Sequence, residues 1–338
     1  MKFGPVLLED AQGKILGHNV AGSDGRRRLR KGKPLDAADI AVLAELGRRS
    51  VYVAEIEEED VEENRAALRV AEACRGMGLR LSSAATGRVN IIATEHGLAR
   101  VEDARLGRLN EGEGITVATV GADQLVRPGQ TVATVKVIPY AVPEQVVTAA
   151  VNAASPSPLR VDAFQPHKVG LILSGSPSVR TVLEEGFLPL EERVRALGSE
   201  VTAHDFVDLS GDGGEVELAT ALVAQRDSGA ALILLAGETA IMDRHDITPR
   251  AVERAGGRVE TVGAPVDPGN LLMLAYLDDI PVLGAPGCAR SRKVNIVDWI
   301  LPRLLTGERL GQDDIRRLGC GGLLEDVPER PLPRSRIG

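Results

Sequence analysis

The chain has 338 residues, with 40 Lys and Arg against 48 Asp and Glu, a net charge of −8, and 43% hydrophobic residues. That length accommodates two or three domains with real cores, and the balance of apolar to charged residues is that of a folded protein, not a disordered one. Aromatics make up only 2% and the charge is acidic, which argues against a nucleic-acid platform. The opening MKFGPVLLEDAQGK lacks the apolar run of a signal peptide, and nowhere do 18 apolar residues run together, so neither export nor a membrane span is expected. Cys74, Cys288 and Cys320 lie far apart with no CxxC, which suits a reducing cytoplasm.

Residues 1–60 read as a small α+β lobe. Asp36 is placed to cap a short helix carrying Ile40, Leu43 and Leu46, with Gly47 as its stop and a strand Ser50–Ile56 after it. Before that helix comes a basic run, Arg26-Arg27-Arg28 through Arg30, Lys31 and Lys33. It could hold an anionic ligand or partner, or be a solvated loop beside the acidic stretch Glu55–Glu63. Residues 61–160 read as a β-rich domain introduced by a helix over Val61–Arg75. Its strands Ile115–Val120 and Thr131–Ile138 share the pentapeptide TVATV, at 116–120 and 131–135, as two packed strands would. Arg127-Pro128-Gly129-Gln130 suits a type II turn, and Ser155-Pro156-Ser157-Pro158 reads as a linker.

From about residue 166 to 312 the pattern alternates strand and helix, the signature of a three-layer α/β domain on a parallel sheet. Strands are expected at Val169–Leu173, Glu200–Phe206, Ala231–Leu235, Arg258–Gly263 and Pro281–Leu283, with helices at about 179–197, 214–228, 248–255 and 291–305. Residues 313–338, ending in the Pro-rich 325–334, read as an extended tail or linker.

Ligands of such sheets bind outside the carboxyl ends of the strands, so the loops there carry the functional expectations. Ser174-Gly175-Ser176 follows the first strand, where small residues let backbone amides approach an anion. Gly237-Glu238-Thr239-Ala240 follows the third, then Asp243 and Asp246, acids that could position Mg²⁺ or accept from a ring edge. Helix capping and a solvated loop are the structural alternatives for those two acids. His245 between them is a secondary acid–base candidate. Asp267 sits in the rigid turn PVDPGN, and Pro286-Gly287 in the small-residue loop GAPGCARS, with Arg290, Arg292 and Lys293 available to an anion.

The succession Gly237–Pro249, PVDPGN (265–270) and GAPGCARS (284–291) resembles the molybdopterin-binding domain of molybdenum-cofactor biosynthesis proteins. AQGKILGHNV (11–20) and LRKGKPLDAADIAVLAELG (29–47) are similar to the start of molybdopterin molybdotransferases. The resemblance implies a pterin with a terminal phosphate, held by Ser174–Ser176, Gly237–Ala240, Asp267 and Pro286–Gly287. It implies Asp208, Asp243 and Asp246 in catalysis, and Asp243 and Asp246 at Mg²⁺. Gly237 and Thr239 match the adenylyltransferase loop Gly-Gly-Thr-Gly, whereas Glu238 and Ala240 replace its glycines. A carboxylate in a phosphate loop opposes an anion, so molybdopterin binding in cofactor biosynthesis or delivery is expected ahead of turnover. An adenylyl- or molybdotransferase and a non-catalytic scaffold or sensor are the alternatives. The Pro-rich end resembles the joint to a nucleotidyltransferase domain, making that domain, other cofactor-biosynthesis proteins or a second copy of the chain the expected partners.

Overall fold

The computed structural model describes residues 1–211 and 213–324. The chain forms two compact units, Met1–Asp162 and the part from Ala163 onward.

In the first unit, Lys2–Leu7 and Ile15–Leu16 flank Ser50–Glu55 in an antiparallel sheet. The helix Ala37–Glu45 starts at a reciprocal cap: Asp36 Oδ1 accepts from Asp39 N at 2.9 Å and Asp39 Oδ2 from Asp36 N at 3.1 Å. Leu43 is its deepest side chain, packed with Leu16, Leu35 and Val53. Ile115–Thr119 and Thr131–Val137, the strands that share TVATV, pair antiparallel within a four-stranded sheet. The turn before the second of them closes with Gln130 N donating to Arg127 O at 3.0 Å and Gly129 at φ +88°. Residues 61–160 are less purely β than their pattern suggests: helices Glu63–Cys74, Asp103–Leu109 and Glu144–Ala153 share the core with the strands. Nor is Ser155–Pro158 a free linker. Ser157 Oγ donates to Cys74 O at 2.6 Å, and Leu159–Ala163 continues as a strand beside Gly97–Val101.

The second unit is a six-stranded sheet whose strands, numbered within it, are β1 (Lys168–Gly175), β2 (Glu200–Asp208), β3 (Leu232–Gly237), β4 (Arg258–Val262), β5 (Met273–Leu277) and β6 (Ile280–Gly284), in the order β2-β1-β3-β6-β5-β4. Its helices are α1 (Arg180–Gly186), α2 (Leu188–Ala196), α3 (Gly214–Asp227), α4 (Ile247–Arg254), α5 (Val297–Leu305) and α6 (Gln312–Arg317). The central strands are apolar on both faces. Val169, Leu171 and Leu173 join the core under α1, α2 and α5, while Ile172 joins the one under α3 and α4; Leu232 and Leu234 against Ile233 and Leu235 repeat the split.

Three expectations need correction. The sheet is mixed rather than parallel: β5 runs antiparallel to both β6 and β4. Its sequence, MLAYL, is a continuous apolar run without alternation, and the tight reversal at Asp278 (φ +55°) makes it a hairpin with β6. The single helix expected over 179–197 is two, divided at Phe187 beside Gly186 and Pro189. The tail expected from 313 begins inside α6, and Asp267 pairs with Leu323; the Pro-rich residues 325–334 lie outside the described residues.

Candidate functional site at the carboxyl edge of the sheet

β1, β2, β3 and β6 run in the same direction, and two antiparallel steps return β4 to it as well. The loops singled out in the sequence therefore leave from one edge. Ser174 is in register with Gly237, Gly175 with Asp208, and Leu235 with Gly284. The chain leaves β1 toward β2 on one side and leaves β3 toward the β6-β5-β4 side. The carboxyl ends of β1 and β3 thus flank the topological switch point, where open α/β sheets leave a crevice.

The residues at that crevice are small because the strand ends crowd one another. A Cβ on Gly175 would stand 2.8 Å from Glu238 Cβ, and one on Gly237 would stand 2.8 Å from Ser174 Oγ. Glu238 N donates to Ser174 O at 2.8 Å, and its carboxylate turns back over the loop to accept from Ser176 N at 2.8 Å. The backbone donor expected to meet a phosphate is thus held by the chain's own carboxylate. Arg290 closes the other side: its Nη2 donates to Gly237 O at 3.0 Å, and its guanidinium lies 4.7 Å from the Phe187 ring centroid. Among the described residues it has no carboxylate partner, whereas Arg292 is bound by both oxygens of Glu192 at 2.6 and 2.8 Å. Thr239, Ala240 and Gly287 are exposed and Pro286 is buried, with Ala285 N donating to Leu235 O at 2.7 Å to seat that loop beside β3.

Each of the acids expected in catalysis is engaged by donors close to it in sequence. Asp246 Oδ2 accepts from Met242 N at 2.6 Å and Asp243 N at 3.0 Å, and Asp243 Oδ1 accepts from His245 N at 2.8 Å. Asp246 stands at the N-cap, immediately before α4, yet its carboxylate closes the preceding turn instead of capping the helix. Between them Arg244 reaches Val259 O on β4 at 3.2 Å, away from β1. Asp208 accepts through Oδ1 from both the hydroxyl and the backbone N–H of Ser210, and these bonds hold its carboxyl below the usual carboxylate range. Asp267 lies in the loop between β4 and β5, where its neighbour Pro268 O accepts from Ile296 N at 3.2 Å. Asp267 Oδ1 is buried with no hydrogen-bond partner among the described residues.

Backbone N–H groups in the Asp243–Asp246 turn engage one oxygen of each carboxylate, Asp246 Oδ2 and Asp243 Oδ1. Among the described residues no group of three or more His, Cys, Asp or Glu side chains is clustered for a metal. At the ends of β1 and β3 the chain sets the Arg290 guanidinium, the Glu238 carboxylate and small-residue backbone side by side.

Residues 5–55 match a family model described as a domain of unknown function (DUF8806). No curated protein matches the sequence. Among solved structures, the chain is similar to a molybdenum cofactor biosynthesis protein from Pyrococcus furiosus at 13% identity and a TM-score of 0.25, covering 91% of this chain and 66% of that one. It is also similar to a molybdopterin biosynthesis MoeA protein from Pyrococcus horikosii (13% identity, TM-score 0.30, 90% of this chain and 75% of that one). A molybdenum cofactor biosynthesis protein B matches 42% of this chain and 96% of its own length at 18% identity and a TM-score of 0.29. At these identities and scores the likenesses carry no functional argument. The chain spans just under two thirds of the first protein's length.

Proposed function

We propose that the second unit binds a phosphorylated pterin of the molybdopterin class in the crevice between the carboxyl ends of β1 and β3, and that the chain serves molybdenum cofactor biosynthesis or delivery as a binding protein. The observation that carries the reading is the switch point itself. Gly237–Thr239, in a loop whose sequence resembles a molybdopterin site, and Ser174–Ser176, which that resemblance implies at the phosphate, are the segments that flank it.

In this reading Arg290 supplies the charge for the phosphate, and Ser176 N–H and the Thr239 hydroxyl supply hydrogen bonds. Glu238 is a resident competitor: the phosphate displaces its carboxylate from Ser176 N–H, and the displaced carboxylate then accepts from the pterin's own N–H groups. Binding is favoured over transfer because Asp208, Asp243 and Asp246 already spend carboxylate oxygens on neighbouring donors.

Gel filtration of the full chain with molybdopterin, followed by pterin fluorescence of the protein peak, tests the reading. Retention of one pterin per chain, cut about tenfold in affinity by Arg290→Ala, is the expected result. A wild-type peak free of pterin would defeat it.

A further inference from the structure

The first unit holds a second equipped site, in a cavity of about 990 Å³ open to solvent. That volume is at the upper end of the range for small-molecule sites. Its walls come from distant segments of sequence. Arg30, Lys31 and Lys33 belong to the basic run, Arg88 opens the strand Arg88–Ala93, Lys136 lies near the end of Thr131–Val137, and Glu63 starts a helix.

The charges do not cancel. Lys33 is taken by Asp39 at 2.7 Å and Asp36 at 3.5 Å, and Glu63 stands 4.0 Å from Lys136. Arg30, Lys31 and Arg88 have no ion-pair partner among the described residues, although the chain carries a net charge of −8. Lys136 Nζ donates to Thr86 O at 2.6 Å. Burial pushes its pKa down; Glu63 opposes that shift, while the like charges of Arg88 and Lys31 add to it. Thr86 itself has φ +49°, a backbone region costly for a β-branched residue and one that collects at ligand sites.

The rest of the lining is flat and apolar. Phe3, His18 and Tyr140 face the cavity, Phe3 lies edge-on to His18 at 5.5 Å, and Tyr140 Oη is fixed by Gly17 O at 2.9 Å. The chain has only three Tyr and four Phe, so two of them beside unpaired cations is a concentration that ordinary core packing does not require. Phe3 remains 46% exposed, leaving ring surface for a guest.

We propose that this cavity binds a nucleoside phosphate, its base against Phe3, His18 and Tyr140 and its phosphates on Arg30, Lys31 and Arg88. Guanidinium and ammonium groups form charge-assisted bonds to phosphate oxygens, and the aromatic surface gives a planar base a stacking partner. The site uses no residue of the second unit and is independent of pterin binding there.

Isothermal titration of the full chain at low salt with ADP, pyrophosphate and adenosine tests it. ADP is expected to bind about tenfold or more tighter than pyrophosphate, and adenosine weakest. Arg88→Glu and Lys31→Glu, both exposed positions whose variants are checked for native thermal unfolding, are each expected to weaken ADP about tenfold or more, while Arg290→Ala leaves it within about twofold. No heat with ADP would overturn the proposal, as would ADP binding unmoved by both charge reversals. Pyrophosphate binding as tightly as ADP would remove the base from the site and with it the nucleoside.

Discussion

Replacing Glu238 with glycine should tighten anion binding at the crevice, against the usual rule that removing a site residue weakens it. In the folded chain the Glu238 carboxylate accepts from Ser176 N at 2.8 Å. It therefore blocks a donor and places a negative charge where the phosphate must come. Two unit charges about 4 Å apart repel by about 1 kcal/mol in water and about 4 kcal/mol at the effective dielectric of a protein surface. Glu238 is exposed, which puts the repulsion near the lower figure. Freeing the Ser176 N–H contributes a similar amount, less the cost of the flexibility that glycine brings. The net gain is about 1–2 kcal/mol, or roughly 5–30-fold tighter binding. Glu238→Gln keeps an acceptor for Ser176 N–H and removes only the charge, so it should fall between wild type and Glu238→Gly. Isothermal titration with inorganic phosphate and with molybdopterin at two salt concentrations reads both effects, and the gain should shrink as salt screens it. Weaker phosphate binding by both variants would refute the reasoning, because the carboxylate would then be aiding the anion, not competing with it.

Arg193→Ala should cost about 3–5 kcal/mol in urea unfolding. Its nearly buried guanidinium ties Asp298 to the carbonyls of Pro189, Ala289, Ser291 and Lys293, and so holds the loop that carries Arg290. Tyr276→Phe should cost about 1–3 kcal/mol by the same measurement, since its hydroxyl donates to Leu310 O at 3.1 Å and accepts from Leu310 N at 2.8 Å inside the core. Burial pushes the Cys74 thiol up to about 12, above its unfolded value near 9. The folded state therefore keeps a proton that the unfolded chain releases, and this contribution to stability is intact below about pH 9 and lost as the pH rises toward 12. In thiol titration at pH 8, exposed Cys320 should react at once and Cys74 only after denaturant is added.

Five of the six strands of the second unit are legible in the sequence, the central ones because burial on both faces leaves unbroken apolar runs such as Leu232–Leu235; the sixth, Met273–Leu277, is not among the expected strands. What the runs do not carry is direction. Met273–Leu277 has no alternation to separate it from a helix turn, and only the hairpin at Asp278 shows that it runs against its neighbours. The convergence of the crevice loops follows from strand order, and their glycines are also required by the close approach of Gly175 and Gly237 to neighbouring side chains. Side-chain direction is not legible in the sequence: Glu238 is out of place in a phosphate loop by its charge, but nothing in the sequence shows that it turns back onto Ser176 N–H. Asp243 and Asp246 looked like ligands from their spacing, while the backbone N–H groups that engage them depend on turn geometry that spacing does not encode. The cavity of the first unit announced itself only through Arg26–Lys33. Arg88 and Lys136 are single charges in apolar strands, and the pairing of Thr131–Val137 with Arg88–Ala93 sets them opposite each other.

The most direct measurement is a crystal structure of the full chain grown with molybdopterin. The account predicts pterin density between Ser174–Ser176 and Gly237–Thr239, its phosphate on Arg290 and the Glu238 side chain displaced from Ser176 N. A bound pterin lying anywhere else, with Glu238 still in place, would contradict it.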